Sequence, residues 1–80
     1  MQESHLSHHV QRLSLTDIEV ECLYQVAEGR RIDDIGASLT QDRMTAERHL
    51  ANAQHKLGAR NLLHAVSLAL GLGIFDGKNG

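Results

Sequence analysis

Between Asp42 and Leu57 the chain reads DRMTAERHLANAQHKL, and its apolar residues recur at a helical interval. Ala46, Leu50, Ala53 and Leu57 fall four, three and four residues apart, which predicts a helix with a single apolar seam. The opposite face carries Met44, Arg48, Ala51, Asn52 and His55, with Thr45, His49 and Lys56 on one flank. That face lacks the alternating acids and bases of an ordinary solvated surface. A long cation, an amide, an imidazole and a small residue that allows close approach suit a helix that enters a DNA groove.

The other apolar patterns predict three further helices. Leu15-Thr16-Asp17-Ile18-Glu19-Val20 is a helix start in which Thr16 caps, Glu19 reaches back, and Leu15 packs on Val20 as a staple. Val20, Leu23, Val26 and Ala27, with Cys22, form the buried side of that helix, and Gly29 ends it. Capping accounts for Glu19 more economically than a catalytic pairing with Glu21 does. After the basic connector Arg30-Arg31, a shorter helix has Ile32, Ile35, Gly36 and Leu39 on one face and Asp33 and Asp34 in its first turn. Gly36 costs about 1 kcal/mol of helix propensity relative to Ala, which close helix contact would offset. Thr40 and Gln41 then form a tight turn, and Asp42 caps the long helix.

Gly58 ends the long helix and Asn61 caps the last one, which has two apolar stripes. Leu62, Leu63, Val66, Ala69 and Leu70 are expected to face the core. Ala65, Leu68 and Leu72 lie on an adjacent face, expected to be the contact of a homodimer. Residues 1–14 are expected to be a polar, partly disordered N-terminal arm and 76–80 a frayed tail, leaving 15–75 as the folded domain. With no proline, no strand alternation and no repeat, the expected fold is all-α, with four helices. A short helix, a tight turn and a longer helix with an exposed polar face make a helix-turn-helix.

Composition sharpens this picture in two ways. A hydrophobic share of 41% with one Phe, one Tyr and no Trp implies a thin core of Leu, Ile, Val and Ala. The net charge of −2 divides unevenly: residues 1–29 carry −4, residues 30–60 carry +2, and the remainder balances. Positive charge is thus concentrated around the proposed groove helix.

Other chemistries are poorly supported. Cys22 is the sole cysteine, so no disulfide forms within the chain, and a buried small hydrophobe is the expected role. His5, His8 and His9 lack the cysteine or acidic partners of a metal site. The apolar run Leu62 to Phe75 contains His64 and is shorter than the roughly 20 residues of a bilayer span, so a soluble, cytoplasmic protein is expected. No activated nucleophile and no phosphate-cradling glycine loop is present. No enzyme and no cofactor is expected.

The stretch Leu15 to Val66 resembles the C-terminal DNA-binding domain of LuxR/FixJ-type bacterial transcription factors, the module also found alone in the sporulation regulator GerE. The resemblance runs through Leu15-Thr16 with Glu19 and Glu21, Val26-Ala27-Glu28-Gly29, Ile35 and Leu39. It continues through Thr45, His49-Leu50, Asn52, Lys56-Leu57-Gly58, Arg60-Asn61 and Ala65-Val66. Ala51-Asn52-Ala53 before Lys56-Leu57-Gly58-Ala59 looks most like the quorum-sensing branch. The resemblance implies that Ile32 to Ala51 form the helix-turn-helix, that the third helix reads the major groove of double-stranded DNA, and that the fourth dimerises. It also implies a stand-alone unit, since the chain has no room for the family's sensor domain. Departures from the pattern are Ile18 for a common Arg, Ala46 for a larger aliphatic, Glu47 for a polar or basic residue, Ala51 for a frequent base, and Leu62 for a common Arg. Each lost phosphate contact lowers the salt dependence of binding by about one unit.

The expected DNA-binding residues are Arg43, Thr45, Glu47, Arg48, His49, Asn52, Lys56 and Arg60, with Arg30 and Arg31 as lesser candidates. Arg48 suits a guanine or a phosphate, and Asn52 an adenine or a phosphate. Glu47 suits cytosine N4, or else is a solvated acid paired with Arg43 or Arg48. The rival expectation, given the depleted cations, is a protein-interaction module that forms mixed dimers with other LuxR-type regulators through the last helix.

Overall fold

A computed structural model describes residues 15–40 and 42–78. Four α-helices follow in order: α1 (Asp17–Ala27), α2 (Ile32–Ile35), α3 (Arg43–Leu57) and α4 (Leu62–Gly71). No strand occurs among the described residues. The expected arm over 1–14 with its three histidines, Gln41 of the expected turn, and residues 79–80 lie outside the described residues.

Local chemistry fixes most helix ends. The Thr16 hydroxyl accepts from the Glu19 N–H at 3.1 Å, while the Thr16 N–H donates to Glu19 Oε1 at 2.9 Å, closing the capping box at α1. Asp42 Oδ1 accepts from the Thr45 N–H at 2.7 Å to cap α3, and Asn61 Oδ1 accepts from the His64 N–H at 2.8 Å to cap α4. Gly58 stops α3 at φ +69°, a left-handed conformation that glycine adopts without steric cost.

The second helix departs from the regular one expected. Four α-helical residues give way to a π-helical turn over Gly36–Thr40, so Thr40 belongs to this turn. Gly36 has ordinary helical angles, φ −59° and ψ −45°, so conformational freedom is not the reason for a glycine here. A Cβ at this position would lie 2.7 Å from the carbonyl carbon and oxygen of Asp42 and 2.8 Å from the Arg43 nitrogen. The backbones of α2 and α3 thus meet where only a hydrogen fits.

The core joins Leu15, Cys22 and Leu23 of the first segment to Ile35, then to Ala46, Leu50 and Ala53 of α3 and to Ala65, Val66 and Ala69 of α4. Phe75 closes one end, edge-on to Tyr24 with ring centroids 5.6 Å apart. Four of these core residues are alanines, which let the helices approach closely, as the thin-core composition implied. Burial pushes the Cys22 thiol above its ordinary pKa, and the nearby charges of Glu21 and Glu19 add to the shift, so it stays a neutral apolar filler.

Three expectations need correction. Ala27 is exposed, and Glu19 joins the expected Cys22 and Leu23 on the buried side of α1, with Val20 and Val26 half-buried against the core. In α4 the core face is rotated: Ala65 is fully buried and cannot lie on an outer contact face, whereas Leu63 is 79% and Leu70 61% exposed. Ala65 and Ala69, four residues apart, bring α4 close to α1 and α3, and leucines at those places would hold it away. Lastly, Asp76 to Lys78 form turns, with the Lys78 ammonium on Glu21 and 5.8 Å from the centroid of the Tyr24 ring.

Candidate nucleic-acid interface

The long helix α3 presents to solvent a stripe of Met44, Glu47, Arg48, Ala51, Asn52 and His55, all exposed. Their spacing of three, one, three, one and three residues places them on one face along three helical turns. The core residues Ala46, Leu50 and Ala53 hold the opposite face. Glu47 therefore joins the outer face that the sequence pattern assigned to its neighbours.

The charged groups around this stripe fall into two sets. Arg43 is committed within the protein: its Nε donates to Glu47 Oε2 at 2.9 Å and its Nη1 to Asp33 Oδ1 at 3.2 Å. Lys56, expected at a phosphate, is turned inward: its ammonium donates to Glu19 Oε1 at 2.8 Å and Oε2 at 3.1 Å. Glu19 is buried because it caps α1, and a buried carboxylate needs a counter-charge. Burial raises the Glu19 pKa, but the hydrogen bonds from Lys56 and Thr16, with the charges of Lys56 and His49, outweigh it and leave the carboxyl below its ordinary value.

In the second set are the groups without a hydrogen bond or ion pair among the described residues. Arg48 and Asn52 are exposed, and neither side chain has such a partner. The Arg60 guanidinium is likewise open, while its backbone N–H donates to His64 Nδ1 at 3.0 Å. Arg30 and Arg31 converge with Arg43 on an open hollow of about 340 Å³, floored by Val26, Ile32 and Leu62.

Two expected contacts lie deeper than the stripe. Thr45 is half-buried, and its N–H and hydroxyl both serve Asp42; these bonds, with a smaller contribution from Arg48, hold the Asp42 carboxyl below its ordinary value. His49 is also half-buried, and its Nδ1 is enclosed without a partner among the described residues. The structure thus separates Arg48, Asn52 and Glu47 on the outer stripe from Arg43, Lys56, Thr45 and His49, which are engaged with or turned toward the domain. The Glu19–Lys56 pair, 37 residues apart, has no local sequence signature. No group of three metal-ligating side chains occurs among the described residues, and no helix there is long and apolar enough to cross a membrane.

Comparison with known proteins agrees with this arrangement of helices. The family model described as bacterial regulatory proteins, luxR family, matches residues 13–69. The chain belongs to the LuxR family of bacterial regulatory proteins. It is 45% identical over 56 residues to the transcriptional activator protein BjaR1 of Bradyrhizobium diazoefficiens, covering 70% of this chain and 23% of that protein. It is 42% identical over 62 residues to the HTH-type quorum sensing-dependent transcriptional regulator VjbR of Brucella abortus, 78% of this chain and 24% of that protein. The transcriptional activator protein VanR of Vibrio anguillarum is 37% identical over 59 residues, 74% of this chain and 25% of that protein. The chain thus spans about a quarter of the length of these curated relatives. No solved structure matches it. The four helices are those of a LuxR-type helix-turn-helix domain, and the regulatory family is not one of enzymes.

Proposed function

We propose that this LuxR-family domain binds double-stranded DNA in a sequence-specific manner, with α3 in the major groove, to regulate transcription in the bacterial cytoplasm. The observation that carries the proposal is the outer stripe of α3. Arg48 and Asn52 extend from a helix whose opposite face is locked into the core, and neither side chain makes a hydrogen bond or ion pair among the described residues. Arginine donates in pairs to guanine O6 and N7, and asparagine matches adenine N6 and N7. Arg30 and Arg31, which line a hollow with Arg43, and the exposed Arg60 are the candidates for backbone phosphates. Replacing Arg48 by Ala is expected to weaken specific binding by about 1–3 kcal/mol without altering the fold, as read by fluorescence anisotropy on a selected duplex and by circular dichroism.

A homodimer through α4 goes with this reading. Leu63 and Leu70, seven residues apart on one side of α4, are exposed, an apolar stripe that association would cover. Two domains related by a two-fold axis would place their α3 helices in half-sites of a palindromic operator.

One observation favours a second reading. With Arg43 on Asp33 and Glu47, and Lys56 on Glu19, α3 offers fewer cations to phosphates than its sequence suggests. A weak DNA binder of this kind would act by forming mixed dimers with other LuxR-type regulators through α4. In that case Leu70→Asp abolishes the effect on regulation, whereas Arg48→Ala leaves it unchanged.

A further inference from the structure

The outer stripe of α3 contains a carboxylate, an unusual group to present to a polyanion. The structure shows how it is held. Arg43 lies one turn before Glu47 and donates from Nε to Glu47 Oε2 at 2.9 Å. The same guanidinium donates from Nη1 to Asp33 Oδ1 at 3.2 Å, on the preceding helix. Arg43 is therefore clamped between carboxylates on α2 and α3, and Glu47 is fixed at one oxygen. Glu47 Oε1 has no hydrogen bond among the described residues, and the side chain lies on the same face as Met44, Arg48 and Ala51.

We infer that Glu47, braced by Arg43 and Asp33, selects cytosine in the operator by accepting a hydrogen bond at Oε1 from the cytosine N4 amino group. This rests on the major-groove reading of α3 proposed above. A carboxylate is repelled by phosphates and by the acceptors on base edges, so only an amino donor can hold it. In the major groove those donors are cytosine N4 and adenine N6. Adenine carries its N7 acceptor on the same edge as the amino group, where it opposes the carboxylate charge, and cytosine has no such acceptor on its own edge. With Oε2 occupied by Arg43, Glu47 offers a single acceptor and matches a single donor. The brace also fixes the side chain before DNA arrives, so less rotamer freedom is lost on binding. Arg43 is then a positioning residue that reaches the base through Glu47.

Charge makes this contact one of discrimination and not of affinity. Asp33, Arg43 and Glu47 together carry one net negative charge, which weakens attachment to DNA of any sequence. Only a site with an amino donor at the right place offsets that repulsion.

The test is selection from random-sequence duplex DNA with the wild-type chain, Glu47→Gln, Glu47→Ala and Arg43→Met, each checked for folding by circular dichroism. The wild type is expected to enrich a motif with one position per half-site dominated by a C·G pair. Glu47→Gln moves that position toward A·T, since an amide matches adenine N6 and N7. Glu47→Ala removes the preference there, a loss of roughly five- to tenfold in discrimination, and raises affinity for unselected DNA. Arg43→Met weakens the preference at the same position and leaves the others in place. A wild-type motif that neither Glu47 variant changes at any position overturns the inference while leaving DNA binding by α3 intact. Failure of the wild type to enrich any motif overturns both.

Discussion

The carboxylate of Glu19 holds the ammonium of Lys56 at 2.8 and 3.1 Å, tying the first turn of α1 to the last turn of α3. The same carboxylate closes the α1 capping box, so one buried group caps α1 and anchors α3. Lys56→Met leaves that charge buried without its cation. A fully buried pair broken in this way costs about 3–5 kcal/mol, and the partial exposure of Lys56 reduces the expected loss to about 2 kcal/mol. For a domain of this size that is a fall in melting temperature of about 10 °C, measurable by circular dichroism.

Acid should act through the same contact. The folded-state pKa of Glu19 is depressed, so its contribution to stability is fully present above the unfolded-state value and is lost as pH falls through the folded one. Glu21, held down chiefly by Lys78 and then by Gln25, and Asp42 shift in the same direction. Thermal melts from neutral pH into the acid range are expected to show stability falling from the ordinary carboxylate region downward. In Glu19→Gln that slope becomes shallower, and an unchanged slope would show that Glu19 is not a source of the acid sensitivity.

Gly36→Ala tests the contact between the two helices of the helix-turn-helix. Helix propensity alone favours alanine by about 1 kcal/mol. The added Cβ, however, meets backbone of Asp42 and Arg43 at 2.7–2.8 Å, which no side-chain rotation relieves. The expected net effect is destabilisation of about 2 kcal/mol, within the range seen for overpacking, with weaker DNA binding as α3 is displaced. A more stable variant in chemical denaturation would refute the close approach.

What the sequence made legible follows from how local each cause is. Thr16 with Glu19, Asp42, Gly58 and Asn61 announce helix ends because each acts within four residues. The seam of Ala46, Leu50 and Ala53 is equally plain, since α3 is apolar on one side only. The phase of α4 was not, because leucine, alanine and valine occupy nearly every face of LLHAVSLALG. Val66 and Ala69 lie in the core as their spacing predicts, whereas close packing selects Ala65 beside them and leaves Leu63 and Leu70 outside. The commitments of Lys56 to Glu19 and of Arg43 to Asp33 join separate helices, so no periodicity reveals them.

The rotated phase of α4 changes which residues should govern association. Leu63→Asp with Leu70→Asp is expected to shift sedimentation to the monomer while leaving the melting temperature within a few degrees, because both side chains are exposed. Ala65→Leu acts instead as an overpacked core, with a loss of about 1–3 kcal/mol. If Ala65→Leu changed only association and the leucine pair changed only stability, the assignment of faces would be reversed.

Whether α3 reads DNA is tested most directly by binding of the wild-type chain to a duplex enriched from a random pool, at two salt concentrations, beside Arg48→Ala. The predicted result is a two-fold-symmetric motif, affinity that falls steeply with salt, and a loss of about 1–3 kcal/mol of binding free energy on removing Arg48. Feeble binding that ignores sequence and is indifferent to Arg48 would contradict it.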